Sequence, residues 1–186
     1  MKVKDVIASA LRLIGRSELV SDLSAPGKSK EKDCEEVVET LVYCFNAVED
    51  ELSRKYIPLI TREEMSSEDN RFYYSDFGHY PVKIKRVYVG GKETAFEVFA
   101  KYMEVKAREV TVEYGYAPTR KELDGESDYD GDVGEYLIAL GIASEYSLLN
   151  GEAEMADRWE KAYRAQLDKI QRSLQVCARI PPRRWV

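Results

Sequence analysis

The sequence predicts an α+β protein that is mainly α: a helical bundle with a small antiparallel β insertion and an extended C-terminal tail. Apolar residues recur at helical spacing at both ends of the chain, whereas the middle alternates apolar and polar residues with a period of two. At 186 residues the chain has the length of one ordinary domain. We therefore expect a single domain over 1–178 and a docking tail over 179–186.

Two helices are predicted first. Residues 2–15 carry apolar residues on one face, and Gly15 is suited to the C-cap of this helix. A loop with the composition SDLSAPGKSK follows. A long helix over about 29–56 then places an apolar stripe from Val38 to Leu52 on one face. This long helix is the expected centre of the core.

A β region is predicted over about 59–116. The segments IPLITREEM, PVKIKRVYVGGKETAFEVF and REVTVEYGY indicate three or four antiparallel strands. Gly90-Gly91 is predicted as a hairpin turn, and Pro81 as the opening of a strand. The stretch SSEDNRFYYSDFGHYP is predicted as an aromatic-rich loop.

Helical spacing returns near the C-terminus. Residues 132–150 and 152–175 are predicted as a helical hairpin whose turn is Asn150-Gly151. Charged residues four apart on the second helix, such as Glu160 and Arg164, add about 0.2–0.5 kcal/mol per pair. Two prolines then keep the segment CARIPPRRWV out of a helix.

The composition argues against several functional classes. A net charge of −6 gives no overall attraction for a nucleic-acid backbone. The first residues, MKVKDVIASALRLIG, are too polar for a signal peptide, and no run of about 18 apolar residues could cross a membrane. We expect a cytosolic protein without a membrane partner, with Cys34, Cys44 and Cys177 as reduced thiols.

The sequence contains no catalytic constellation. His79 is the only histidine, which excludes a site with several histidine ligands, and an ordinary loop position is expected for it. No GxSxG elbow or phosphate-binding glycine motif occurs, and no two of the abundant carboxylates stand out as an acid and a base. The sequence therefore predicts no enzyme and no cofactor.

The stretch ESDYDGDVGEYL resembles the first half of a calcium loop. Glu126, Asp128 and Asp130 alternate, and Gly131 follows them. The twelfth position, however, is Leu137, where a calcium loop has a bidentate carboxylate. A cation site stays open as the weaker interpretation, with Asp128 and Asp130 as its candidate ligands.

The favoured interpretation of this stretch is a helix start with an acidic surface. Asp132 followed by Glu135 has the spacing of a capping box, in which two side chains bind backbone N–H groups at a helix N-terminus. No basic residue occurs between Glu122 and Glu135. The expected inter-subunit or channel surface consists of Glu122, Asp124, Glu126, Asp128 and Asp130.

The C-terminal segment RIPPRRWV has the composition of a binding tail. Trp and Arg are enriched at binding hot spots, and a chain stiffened by proline loses less entropy when it docks. The alternatives are a tail that folds back on its own domain or stays disordered. We expect docking into a partner through Arg179, Ile180, Pro181, Pro182, Arg183, Arg184 and Trp185.

Taken in order, these elements resemble the head-to-tail adaptor (connector) proteins of tailed bacteriophages. The likeness rests on a short helix ending in LRLIG, a long helix, a β region ending in VTVEYGYAP, an acidic turn, a helical hairpin and a basic tail. The hairpin carries the spacing A-x-x-W-x-x-x-Y at Ala156, Trp159 and Tyr163. The resemblance spans nearly the whole chain.

The resemblance implies a structural protein of the virion neck, assembled in the host cytoplasm. It would form a homo-oligomeric ring, usually a dodecamer, between the portal protein and the tail or neck proteins. Residues 179–185 would grip the portal, and DNA would pass the acidic residues without specific binding. Two alternatives stay open: a calcium-dependent binding module that uses the loop 126–132 and, less favoured, a tail-associated hydrolase.

Overall fold

The structure is a computed structural model that describes residues 1–23, 32–129, 131 and 133–176. The chain divides into two compact units. The helical unit comprises Met1–Glu49 and Arg120–Val186, and the β unit comprises Asp50–Thr119. The predicted β region of about 59–116 falls inside the β unit.

The long helices lie where apolar spacing predicts them. The helices are α1 (Val3–Leu13), α2 (Val20–Leu23), α3 (Lys32–Glu51), α4 (Glu135–Leu149) and α5 (Ala153–Val176). Each of the four long helices overlaps one predicted span. A π-helical turn, Leu52–Tyr56, follows α3 directly.

The middle of helix α4 is buried on all sides, whereas Tyr136, Leu148 and Leu149 near its ends are exposed. Every residue from Leu137 to Ser144 is buried, because apolar residues cover the whole circumference of the helix. Gly141 permits close packing. A Cβ at this position would lie 2.9 Å from Val48 Cγ1 on α3 and 3.2 Å from Tyr163 Cε2 on α5. The helix at the centre of the unit is therefore α4, whereas the sequence predicts α3 as the centre of the core.

The β unit contains two antiparallel sheets. The strands are β1 (Leu59–Ser66), β2 (Arg71–Tyr73), β3 (Pro81–Val89), β4 (Lys92–Thr94), β5 (Glu97–Val98), β6 (Tyr102–Glu104) and β7 (Glu109–Tyr116). One sheet has the order β1-β7-β3-β4 and the other the order β2-β6-β5. The longest register joins β1 to β7, from Leu59 opposite Tyr116 to Ser66 opposite Glu109.

The β unit has a hydrophobic core of its own. Its buried members come from both sheets and from the segment between β2 and β3: Phe72, Phe77, Val87, Met103, Val105, Val110, Val112 and Tyr114. The ring of Phe77 packs edge-on against Tyr114, with 4.9 Å between centroids. Such a pair adds about 0.5–1.5 kcal/mol to the burial of the two rings.

The predicted fold class is wrong in its account of the β region. The described residues form seven antiparallel strands in two sheets, which is more than a small insertion in a helical bundle. The cause is strand length. Strands β2, β4, β5 and β6 have only two or three residues each, too few to show an alternating pattern. Strand β2 also lies within the stretch that was predicted to be a loop.

Several local predictions are confirmed. Gly90 and Gly91 have φ values of +55° and +79° and connect β3 to β4, with Val89 opposite Lys92. Positive φ at both positions is the geometry of a two-residue hairpin turn, which glycine adopts without strain. Pro81 is the first residue of β3.

The two described cysteines are thiols, as predicted. Cys34 and Cys44 are buried on α3 and form no disulfide. Burial, with a smaller contribution from the nearby Glu145, raises the pKa of Cys44 to about 12. Because the thiolate is the reactive form, a raised pKa disfavours reaction at Cys44 in the folded protein. Cys177 lies outside the described residues.

Candidate interaction surface

The acidic segment, residues 120–129, precedes α4 in the helical unit. Glu122, Asp124, Glu126 and Asp128 are exposed, as the predicted acidic surface requires, and Asp130 lies outside the described residues. An exposed run of like charge is ordinarily a mobile, solvated chain. The bonds that hold the backbone of this segment therefore decide whether it is a defined surface.

The first anchor is the side chain of Asn46 on α3. Its Nδ2 donates a hydrogen bond to the carbonyl oxygen of Lys121 at 3.0 Å, and its Oδ1 accepts one from the Lys121 N–H at 2.7 Å. The same Nδ2 lies 2.8 Å from the carbonyl oxygen of Val42, one turn earlier on α3. One amide side chain thus satisfies both backbone groups of Lys121 and fixes the segment against the helix.

The second anchor is the N-terminus of the chain. The N–H of Val3 donates to the carbonyl oxygen of Gly125 at 3.1 Å, and the N–H of Ser127 donates to the carbonyl oxygen of Met1 at 2.8 Å. Lys2 and Glu126 form an antiparallel bridge between these two bonds. The acidic segment is therefore paired with another stretch of backbone for part of its length.

The third anchor is the buried carboxyl group of Glu49 on α3, which is 1% exposed. Its Oε1 accepts a hydrogen bond from Ser127 Oγ, which in turn accepts one from the N–H of Tyr129 at 3.0 Å. Its Oε2 has no hydrogen-bond partner among the described residues. Burial raises the pKa of Glu49, and the bond from Ser127 opposes that shift in part. Among the three anchors, this carboxyl group is the one with a buried oxygen that lacks a partner among the described residues.

The calcium-loop interpretation gains no support from the described part of the segment. Lys121 Nζ lies 2.9 Å from Asp128 Oδ1, so an ammonium group already pairs with one of the two candidate ligands. No group of three or more His, Cys, Asp or Glu side chains that could hold a metal occurs among the described residues. Asp130, the other candidate ligand, is outside them.

The predicted capping box is wrong. Helix α4 begins at Glu135, and its N-cap is Gly134, whose position receives no side-chain hydrogen bond. Asp132 lies outside the described residues. The Glu135 carboxylate instead accepts a hydrogen bond from Ser9 Oγ on α1. This contact joins two helices that are far apart in the sequence.

A groove lies between α3 and the acidic segment. Its volume is about 490 Å³, and its lining consists of Glu35, Val38, Glu39, Val42, Glu122 and Leu123. Val38 is buried, Val42 and Leu123 are half-buried, and the three glutamates are exposed. This acidic groove therefore has an apolar floor and an acidic rim, and Asn46 holds one wall against the other.

The three-stranded sheet of the β unit carries an exposed aromatic patch. Phe99 and Tyr102 stack with 4.8 Å between centroids, and Tyr73 lies 5.6 Å from Tyr102 at a tilted angle. The guanidinium of Arg71 lies 5.4 Å from the centre of the Tyr102 ring. Tyr73 and Phe99 are 40% and 39% exposed, so both rings remain partly open to solvent.

His79 takes part in a hydrogen-bond chain through its backbone. Its backbone N–H donates to the Tyr114 hydroxyl at 3.3 Å, and that hydroxyl donates to Glu63 Oε2 at 2.7 Å. Burial, followed by the bond to Glu63, raises the pKa of Tyr114 to about 12. The exposed imidazole stacks on Tyr116, with 4.4 Å between centroids. An ordinary loop position fits these contacts.

The structure brings together only part of the residues that the sequence singles out. The acids at 122, 124, 126 and 128 share one fixed segment, whereas Arg179, Ile180, Pro181, Pro182, Arg183, Arg184 and Trp185 lie outside the described residues. Sequence reasoning missed Asn46 and Glu49. Glu49 had a signal, because it follows Phe45 by four residues and precedes Leu52 by three, on the apolar stripe of α3.

Two further observations bear on the class of protein. Within the described part of the chain, no helix combines the length and the apolar content needed to cross a membrane. Comparison of the sequence with protein-family models and with curated proteins gives no match.

Proposed function

We propose that this protein is a structural head-to-tail adaptor of a tailed phage or prophage, forming a ring between the portal and the tail. The fixed acidic segment carries the proposal. Exposed carboxylates at 122, 124 and 126 repel one another, yet the backbone of their segment is bonded to α3 and to the N-terminal residues. Fixing such a surface is useful where a polyanion must pass without adhering.

A ring needs a second property, because each subunit must contact its neighbour through two different surfaces. The order of elements that resembles phage adaptors supports this assembly, and so do the exposed apolar side chains of the α4–α5 hairpin. Leu148 and Leu149 are 61% and 57% exposed beside the Asn150-Gly151 turn. Burial of these two side chains between subunits would remove apolar area from water, which favours association.

The portal contact is assigned to the tail. Arg179, Arg183 and Arg184 supply positive charge, and Ile180 and Trp185 supply apolar area to anchor in a pocket of the partner. In this proposal the helical unit forms the ring, the acidic segment faces a neighbour or the channel, and the tail joins the ring to the portal.

The test is electron microscopy of the full chain mixed with the portal protein from the same genome. We expect the portal to gain one ring-shaped layer with the wild-type chain and none with Trp185→Ala. Val186→Ala, which trims the adjacent apolar side chain, is the matched control and should bind. If no layer forms under any condition, the adaptor assignment is wrong. If Trp185→Ala still forms the layer, only the role of the tail is wrong.

The acidic lining has a separate test. Asp124→Lys with Glu126→Lys reverses two exposed charges without touching an anchoring side chain. We expect the variant to form the same layer but to retain double-stranded DNA at low salt, and to release it as salt rises. Absence of DNA retention in a correctly formed layer would show that these acids do not face the channel.

A further inference from the structure

The acidic groove has features that define its ligand. Three exposed carboxylates, at Glu35, Glu39 and Glu122, surround a floor made by Val38, Val42 and Leu123. Its volume of about 490 Å³ lies within the range of about 300–1,000 Å³ typical of binding pockets. Such a site fits a ligand with several positive charges and at least one large apolar group.

The chain itself contains a segment of that chemistry. Residues 179–185, RIPPRRW, carry three arginines, an isoleucine and a tryptophan, and no acid. Arginine forms bidentate bonds with carboxylates, and its side chain packs well beside aromatic rings. The segment contains three arginines and the groove rim contains three glutamates, so their charges are complementary.

The directions of the helices show which copy of the segment can reach the groove. Helix α3 is antiparallel to α4, because Val48 lies against Gly141 while Cys44 interacts with Glu145. Helix α5 is also antiparallel to α4. Ser144 Oγ donates to the carbonyl oxygen of Ala156 at 3.1 Å, and Gly141 lies against Tyr163. Helices α3 and α5 therefore run in the same direction.

This arrangement separates the end of α5 from the groove. Val48 and Tyr163 lie at one level, since both contact Gly141. At 1.5 Å per residue, Val176 lies about 20 Å beyond that level, and the groove residues 35–42 lie about 9–20 Å on the other side of it. Residues 177–184 span at most about 29 Å when fully extended. The tail of the same chain would reach only the near end of the groove, and only when fully extended, so the tail of a second copy is the better-suited occupant.

We propose that the acidic groove binds residues 179–185 of a second copy of this chain. The contact joins two different surfaces, so it is head-to-tail: each copy offers one groove and one tail. This self-association needs no portal and thus goes beyond the proposed adaptor function. In an adaptor, the groove and the portal would compete for the same tail, which would hold free subunits together until the portal is present.

The test is sedimentation velocity of the full-length chain with one groove variant and one tail variant. The groove variant carries Glu35→Lys and Glu39→Lys, and the tail variant carries Arg183→Glu and Arg184→Glu. All four positions can change charge without removing an anchor of the acidic segment. We expect the wild type to self-associate in a salt-sensitive way and each variant alone to lose at least about tenfold in affinity.

Mixing the two variants gives the decisive result. The groove variant keeps its tail and the tail variant keeps its groove, so an equimolar mixture should form a one-to-one complex that stops at two copies. Glu152→Lys with Glu154→Lys, at the exposed start of α5, makes the same change in charge elsewhere and should associate like the wild type. A monomeric wild type, unaffected variants, or a mixture that stays monomeric would each overturn the proposal. None of these results bears on portal binding.

Discussion

Two segments that the sequence predicts as loops, the acidic segment and the aromatic segment 66–81, are both fixed in the structure, but by different forces. The acidic segment is held by polar groups, chiefly the amide of Asn46 and the buried carboxyl of Glu49. The aromatic segment is held by burial of Phe72 and Phe77, which are 2% and 7% exposed. The two segments should therefore be destabilised by different kinds of change. Polar anchors depend on single atoms and on pH, whereas apolar anchors depend on volume.

Phe72→Ala should have the largest effect, because it empties a buried site between the two sheets. We expect a loss of about 3–5 kcal/mol in the free energy of unfolding of the β unit, as is usual when a buried phenylalanine is truncated. Hydrogen exchange read by segment is the suitable measurement, since it should show faster exchange in strands β1, β3 and β7.

Tyr80→Ala is the control for that prediction. Tyr80 belongs to the same aromatic segment but is 70% exposed, so its truncation should change stability by no more than about 0.5 kcal/mol. Equal effects of the two variants would mean that the aromatic segment is not fixed by burial.

Asn46→Ala should have the next largest effect. It removes both side-chain bonds to the Lys121 backbone and leaves that N–H and carbonyl oxygen without their partner. We expect a loss of about 1–3 kcal/mol and faster exchange of the Lys121 amide. Thr40→Ala removes a hydrogen bond within α3, to the carbonyl oxygen of Glu36, and should leave the Lys121 amide protected. Unchanged exchange in Asn46→Ala would show that the N-terminal pairing suffices.

The same contrast explains what could be predicted from the sequence. Long helices and the strands β1, β3 and β7 have eight or more residues each, so their periodicity is visible. Strand β2 could not be predicted within the aromatic segment, because the three residues Arg71–Tyr73 are too few to show an alternating pattern. Its partner strand, β6, is equally short. Strand pairing over such short stretches is decided by burial of Phe72 and Met103, which involves residues distant in the sequence.

The candidate surface could be predicted only in part, for a related reason. The acids of the acidic segment are conspicuous in the sequence, but the residue that anchors them, Asn46, lies 75 positions earlier than Lys121. No local pattern links an asparagine on a helix to a backbone amide that far away. Glu49 on an apolar stripe was the one available signal, because a charge at such a position requires a partner.

Glu49→Gln should flatten the pH dependence of stability. The pKa of Glu49 in the folded protein is raised above its ordinary value of 4.5, mainly by burial, so the folded state binds this proton more tightly than the unfolded state. Its contribution is complete below pH 4.5 and is lost as the pH rises through the raised pKa. Glutamine does not ionise and removes that loss.

Denaturant unfolding at successive pH values from below 4.5 upward would measure this effect. Glu126→Gln, which removes a charge from the exposed side of the same segment, is the matched control. A slope unchanged by Glu49→Gln would mean that the Oε2 atom finds a partner in solution, and the polar anchor would then be complete. The acidic segment and the aromatic segment would then still be held by different kinds of group, polar and apolar. Their stabilities would not differ, however, in their dependence on pH.

Asp128→Asn should have the smallest effect on stability. It also tests whether hydrogen bonds or a bound cation hold the acidic segment in place. The ion pair with Lys121 is partly exposed, with side-chain exposures of 14% for Lys121 and 27% for Asp128. Its loss should therefore cost less than about 1 kcal/mol. Calorimetric titration with Ca²⁺ should give no stoichiometric heat with the wild type, because Lys121 Nζ already neutralises this carboxylate. One ion bound per chain, lost in Asp128→Asn, would revive the calcium-dependent module. A cation, rather than hydrogen bonds, would then hold the acidic segment in place.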